Sequence, residues 1–381
     1  MRAFKLGNIH KQTKTESKTY TRYPTIHDVH IDNEREAVRF TFTLPDGTNP
    51  DLVLNQEWVF KQCFGKNIEL DGKVKKFILW CYANDMPENI KYSYEEIEHR
   101  LNKKLIPILC GVDRSSFMNI LDMSEEHHML LTGTTGSGKS SSIRAILTSL
   151  ILNKSPDDIQ FLLGDLKYSE FGIYKRLPHV MGVFMDAKTL LPALVLIEKE
   201  MERRGKLLDK YDVESIYELK KILPSQKLPV IMVCIDEVIL LKENKKIMPI
   251  IERISCIGRS NGIYLLLSMQ RGDAKSLGGQ LKNNLTFRMS GKQSDEINAK
   301  ISGLKKSSDL KTAGRMILQT KDGEKEIQVP YMDKKKAKEL LEPLRLPPLT
   351  DKEALEVQET SKNDDIATLP TFGGFADDRK R

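Results

Sequence analysis

The chain has 381 residues, 40% of them apolar and 30% charged, with a formal net charge of +7. That length suits two or three domains with a sizeable core, and the apolar content excludes wholesale disorder. Cys63, Cys81, Cys110, Cys234 and Cys256 are scattered, with no C-x-x-C spacing, which argues against a disulfide framework or a zinc knuckle and reads as buried thiols in a reducing compartment.

The charge is uneven. Residues 351–381 hold eight acidic and five basic side chains, a formal −3, which leaves +10 on residues 1–350, an excess suited to a polyanionic partner. The first residues, MRAFKLGNIHKQTKTESK, lack the apolar core of a secretory signal. The most apolar stretches, 228–235 and 263–269, are much too short to span a bilayer, so the expected location is cytoplasmic with no integral membrane segment.

Residues 1–22 are polar and rich in Lys and Thr, and read as a flexible N-terminal arm. Residues 23–110 read as a small α+β accessory domain. Its residues 38–44 alternate and then meet the turn signal Pro45-Asp46-Gly47, residues 52–64 have a helical pattern, and 67–71 and 77–82 are strand-like. Residues 107–124 resemble a strand and connector leading into a larger domain, 111–345.

In that domain the run His128-Met129-Leu130-Leu131 enters Gly133-Thr134-Thr135-Gly136-Ser137-Gly138-Lys139-Ser140, which fits the P-loop pattern G-x-x-x-x-G-K-[ST]. Residues 141–152 can continue as a helix. A loop of small residues turns successive backbone N–H groups around phosphate oxygens, with Ser141 in the first helical turn. Lys139 supplies a mobile positive charge, and Ser140 an oxygen ligand for magnesium.

Further on, residues 160–165 form a strand ending in Asp165, 190–211 a long helix, and 229–237 an apolar strand ending in Asp236 and Glu237. Residues 246–258 form a helix, and 263–270 a strand closed by Gln270. Continuously apolar strands alternating with helices predict a mainly parallel sheet covered on both faces, so the fold class is α/β. The segment 285–289 and a hairpin of 315–319 with 326–329, turned at Lys321-Asp322-Gly323, complete the sheet. Residues 346–381 read as a polar, disordered tail.

Such a sheet puts its carboxyl-end loops along one edge, so the P-loop, Asp165, Asp236, Glu237 and Gln270 converge there. Asp236 has the placement of a Walker B carboxylate in the magnesium shell, and Glu237 that of the residue that polarises water. Gln270 can read the terminal phosphate. Among Arg253, Arg259, Arg271 and Arg288, the residues Arg259 and Arg271 are favoured as a cation reaching a neighbouring subunit's phosphate. Glu198, Glu200, Glu202, Arg203 and Arg204 read as a solvated helix face with i,i+4 pairing. Lysine clusters at 73/75/76, 242/245/246, 300/305/306/311 and 334/335/336/338 suit backbone tracking along a sugar-phosphate polymer, and no base-reading module is visible.

Five elements together, the run from His128 to Ser140, Asp165-Leu166-Lys167, Glu200 to Arg204, Ile235-Asp236-Glu237 and the run from Gly258 to Arg271, resemble the FtsK/SpoIIIE family of DNA-pumping ATPases. The resemblance implies a RecA-like P-loop NTPase core that hydrolyses ATP with Mg2+ and threads double-stranded DNA as a homo-hexamer, with DNA-stimulated turnover. It assigns Lys139 and Ser140 to phosphate and magnesium, Asp236 to the metal shell, Glu237 to water, and Gln270 and Arg271 to the sensing position. The region with Phe42 to Gly47 looks like the module before the motor in coupling ATPases of Gram-positive conjugative elements and plasmids, which implies a relaxase or replication-protein partner. Two departures from the family are the lack of N-terminal membrane helices and of a C-terminal winged helix; a third is Gly272 where Pro is usual. Alternatives are a nucleotide-dependent adaptor that recruits a replication, relaxase or partition complex without translocating, and a secretion-type ATPase acting on proteins.

Overall fold

The computed structural model describes residues 1–270 and 277–347; Arg271 and the tail from residue 348 lie outside the described residues. The chain divides into two compact units, residues 1–87 with 112–118, and residues 88–111 with 119 onward.

The first unit has a hairpin of β1 (Lys11–Lys14) and β2 (Thr19–Arg22). It also has an antiparallel sheet of β3 (Thr25–Asp32), β4 (Ala37–Thr43), β5 (Ile68–Gly72) and β6 (Lys76–Tyr82) in the order β3-β4-β6-β5. Alternate residues of the sheet, Phe42, Ile68, Phe77 and Leu79, are buried with Val59 and Phe60 of the helix Glu57–Phe64. The helical pattern over 52–64 is realised as two helices, Asp51–Leu54 and Glu57–Phe64. Within 1–22, expected as an arm, a short helix Arg2–Leu6 places Phe4 with its ring 5.0 Å from Phe42 and 6.1 Å from Phe60. Two or three apolar residues in a polar stretch are enough to anchor it, and average composition does not register them.

The second unit contains β7 (Ile90–Lys91), most of β8 (Pro107–Asp113) and of β9 (Met118–Asp122), β10 (Met129–Thr132), β11 (Ile159–Asp165) and β12 (Val180–Phe184). It continues with β13 (Val230–Asp236), β14 (Ile263–Met269), β15 (Phe287–Gly291), β16 (Arg315–Thr320), β17 (Gly323–Gln328) and β18 (Pro330–Tyr331). Ten of these make one sheet, ordered β12-β11-β13-β14-β10-β15-β16-β17-β8-β9. From β12 to β15 every neighbour is parallel, and β15 to β17 are antiparallel. The α/β class with a parallel RecA-like core and a small α+β module is therefore the architecture observed.

The apolar strands are buried on both faces because helices cover both. Met232, Cys234, Tyr264 and Leu266 pack with Ile143, Ile146, Leu147 and Leu150 of the helix Lys139–Asn153 on one side. Their chain neighbours Ile231, Val233, Ile235, Leu265 and Leu267 pack on the other side against the helices Ala187–Lys210 and Ile247–Ile257. A strand covered on both faces cannot alternate with polar residues, which is why these strands read as unbroken apolar runs.

Two buried polar groups refine the sequence reading. His128 is fully buried, and burial pushes its imidazole down to about 3, so it stays neutral while its Nδ1 accepts from the Leu265 backbone N–H at 3.0 Å. The helix face expected to be solvated is so only in part: Glu202 is exposed, but Glu200 and Arg204 are buried. Glu200 and Arg204 are 1% and 0% exposed and ion-paired at 2.6 Å, Arg203 adds a second contact to Glu200 at 2.7 Å, and Arg204 donates to the Asn261 carbonyl at 2.9 Å. The i,i+4 spacing predicted the pair correctly; the sequence could not show that this face turns inward under the loop before β14.

Candidate nucleotide site

The sheet order builds the site. β14 lies between β10, which feeds the glycine loop, and β13, which ends in Asp236, so the strand leading into Gln270 sits between the loop and the two acids. Thr132 aligns with Met269, and Asp165 with Asp236, so the carboxyl ends form one edge.

The loop from Gly133 to Ser140 turns through glycines at positive φ, with Gly136 at +82° and Gly138 at +100°. Gly138 has no alternative: a Cβ there would stand 2.7 Å from the Gly314 Cα. The helix Lys139–Asn153 starts at the loop, so its free N–H groups and positive dipole end face the same space. That space is a cavity of about 400 Å³ whose wall includes Thr134, Thr135, Gly136, Gly138, Lys139, Ser140, Ser141 and Gln270. Ser137 has another place, its hydroxyl packed against Gly133 and Gly291. Thr134 is anchored by its hydroxyl to the Lys292 carbonyl at 2.9 Å, and Ser141 accepts from the Met332 N–H at 2.7 Å and donates to the Pro330 carbonyl at 3.2 Å.

The charged groups are paired. Lys139 Nζ lies 2.7 Å from Asp236 Oδ1 and 3.1 Å from Ser268 Oγ, and Ser268 also donates to Asp236. Glu237, 4% exposed, stands in the left-handed region at φ +60°. Its Oε2 is 2.7 Å from Lys167 Nζ, and its Oε1 accepts from the Gln270 backbone N–H at 3.1 Å. Lys139, Asp236, Glu237, Lys167 and Gln270 are thus brought together. Asp165 is used locally, accepting from the backbone N–H groups of Ser169, Glu170 and Phe171 at 2.9, 3.1 and 2.9 Å.

The arginines are not brought together in the same way. Arg259 is exposed just before the first residue of β14, at the amino edge of the sheet, roughly 20 Å of strand from Gln270. Arg253 pairs with Glu198 and Glu202 at 2.9 and 3.1 Å, and Arg288 donates to the Leu285 carbonyl at 2.7 Å. Arg271 lies outside the described residues.

Sequence reasoning passed over several residues that the fold supplies. Asn89, Ile90 and Tyr331 line the cavity because β18 pairs with β7, and Arg144 of the loop's helix and Gly314, packed on Gly138, line it as well. They carry no local signal. Ser268 does, as the one serine in a strand otherwise made of apolar residues and Tyr264. Among the described residues no group of three or more His, Cys, Asp or Glu could hold a metal ion by itself, and no helix is long and apolar enough to cross a membrane.

The profile of the FtsK/SpoIIIE family matches residues 89–273. The DNA translocase FtsK of Helicobacter pylori is 33% identical over 260 residues, covering 66% of this chain and 30% of that protein. FtsK of Campylobacter jejuni is 34% identical over 205 residues, covering 52% of this chain and 22% of that one. The chain thus spans less than a third of the length of these relatives. In fold, it is similar to the conjugation coupling protein TcpA of pCW3, solved as a monomer form with ATPγS, at TM-score 0.62 and 23% identity over 90% of this chain and 97% of that one. It is also similar to EssC of Geobacillus thermodenitrificans, at TM-score 0.60 and 21% identity over 68% of this chain and 52% of that one. Through residues 89–273, which carry the glycine loop and the paired acids, the chain is FtsK/SpoIIIE-like.

Proposed function

We propose that this chain binds and hydrolyses ATP with magnesium and spends the energy on moving double-stranded DNA by sequence-independent backbone contacts. In this reading residues 111–345 are the motor, 23–110 an accessory domain, and the working form is a hexamer in the cytoplasm serving a mobile genetic element, with a relaxase or replication protein as partner. The observation that carries it is the pairing of Lys139 with Asp236 at 2.7 Å beside Glu237, at the mouth of a glycine loop that opens a helix.

The residues fit a magnesium nucleotide. The loop's backbone N–H groups and Lys139 suit phosphate oxygens, and Ser140, on the cavity wall, suits the metal together with Asp236. Magnesium supplies charge neutralisation across the phosphates when bound. The ion pair keeps Lys139 and Asp236 mutually satisfied in the absence of substrate. With a triphosphate in the loop, Lys139 has an anionic partner of its own and Asp236 is free for the metal shell. Glu237 orients and polarises water, and Gln270, on the cavity wall beside it, senses the terminal phosphate. Arg259, at the far edge, can act only on a neighbouring subunit.

The cavity wall also includes Asn89, Ile90 and Tyr331, the last 62% exposed, and in this reading the Tyr331 ring receives the base. Tyr331→Ala is expected to raise the KM for ATP roughly tenfold with kcat nearly unchanged, because stacking is lost equally from ground and transition states. A proportional fall in kcat instead would place the base elsewhere.

The test of the function is ATP turnover against duplex length at two salt concentrations. The expected result is a rate that climbs with length and weakens at higher salt. Turnover blind to nucleic acid leaves an ATPase and removes the motor, and stimulation by a polypeptide instead assigns it to secretion.

A further inference from the structure

The turn after β11 is held from beneath. The three backbone N–H groups that Asp165 receives fix a bend whose outer residues are Lys167 and Tyr168, with Tyr168 at φ +58° and 67% exposed. Lys334 donates to the Ser169 carbonyl and brings a second cation to the same rim. Lys167 faces two ways. Its Nζ is 2.7 Å from Glu237 Oε2, a carboxylate only 5% exposed, while its own side chain is 32% exposed. Solvent therefore reaches Lys167 while Glu237 is closed to it.

The consequence for Glu237 is orientation. With a lysine on one oxygen and the Gln270 N–H on the other, the carboxylate is held in a single direction by two charge-assisted contacts. A base that must aim at water beside a nucleotide is free to do so only when one of those contacts yields. The contact that can be reached from solvent is Lys167.

We propose that Lys167 is a polymer-sensing latch: it holds Glu237 in the resting chain, and a backbone phosphate of DNA that engages Lys167 from outside releases Glu237 for hydrolysis. Lys167 is thus a positioning residue, with Tyr168 and Lys334 on the same rim to receive the polymer. Fixing the turn through Asp165 makes the latch effective, since a floppy loop would yield Lys167 without releasing Glu237. The inference rests on the reading of the chain as a DNA-dependent ATPase.

The experiment measures ATP turnover of the full chain with and without long duplex DNA, for the wild type, Lys167→Ala and Lys167→Arg. Lys167→Ala is expected to raise the DNA-free rate about tenfold and bring the ratio of stimulated to basal rate close to one, the size of effect expected from losing a hydrogen bond between charged groups. Lys167→Arg, able to re-form the pair, restores most of that ratio. A wild-type ratio in Lys167→Ala overturns the latch. So does loss of both rates with nucleotide still bound, which makes Lys167 part of the chemistry, or an unchanged ratio with a higher KM for ATP, which makes it a nucleotide contact. If Lys167→Ala fails to melt cooperatively, Lys167→Arg decides alone: a DNA-independent Arg variant refutes the latch. A wild type that DNA does not stimulate sinks the functional reading itself, a result distinguishable from failure of the latch.

Discussion

Glu237→Gln is expected to lower ATP turnover by about 100- to 10,000-fold while leaving nucleotide bound, the range for removing a positioned general base. The reasoning is local. Gln keeps the shape and can still accept from the Gln270 N–H, which lies 3.1 Å from Glu237 Oε1, so the edge of the sheet is preserved. What is lost is the negative charge that holds Lys167 at 2.7 Å and, in the proposed function, polarises water. Lys139 and Ser140 are untouched, so affinity for nucleotide should change little. Phosphate release measured beside binding of a fluorescent ATP analogue separates the two. A variant that hydrolyses within threefold of the wild type would show that another group activates water.

Arg204→Ala is expected to destabilise the second unit by about 3–5 kcal/mol, the cost of breaking a buried ion pair by removing one partner. Three losses combine. Glu200, 1% exposed, keeps only Arg203, the Asn261 carbonyl loses its donor at 2.9 Å, and the guanidinium's space under Gly262 is left empty. Chemical denaturation should show a lower midpoint with a similar slope. Arg203→Ala is the control, since Arg203 is partly solvent-exposed and its loss leaves the pair intact. Equal stability of Arg204→Ala and the wild type would mean the pair contributes no net stability.

Much of the fold was legible because burial on both faces has a plain signature. The segments 160–165, 229–237 and 263–270 could be only strands of a parallel sheet, and they appear within a residue or two as Ile159–Asp165, Val230–Asp236 and Ile263–Met269. The strand Val180–Phe184 was not anticipated, because Val180-Met181-Gly182-Val183-Phe184 is short and lies at the sheet's edge, where packing constrains sequence least. The Arg2–Leu6 helix also escaped notice, since its anchoring rests on Phe4 rather than on any period.

The candidate site divides along the same line. Its glycine loop was readable because phosphate binding demands small residues, a lysine and a hydroxyl within eight consecutive positions, and local chemistry of that kind is written locally. Its cavity wall at Asn89, Ile90 and Tyr331 was not, because those residues meet only through the pairing of β7 with β18.

Residue order alone therefore established that a phosphate loop, two acids and a polar strand end exist, and that an apolar parallel sheet carries them. Which lysine neutralises which acid was decided by tertiary structure. Inserting β14 between β10 and β13 sets Lys139 against Asp236 across 97 positions of chain, and the turn after β11 sets Lys167 against Glu237 across 70. Coulomb energy depends on distance in space, and sheet order, unlike periodicity, leaves no trace in any short window of sequence.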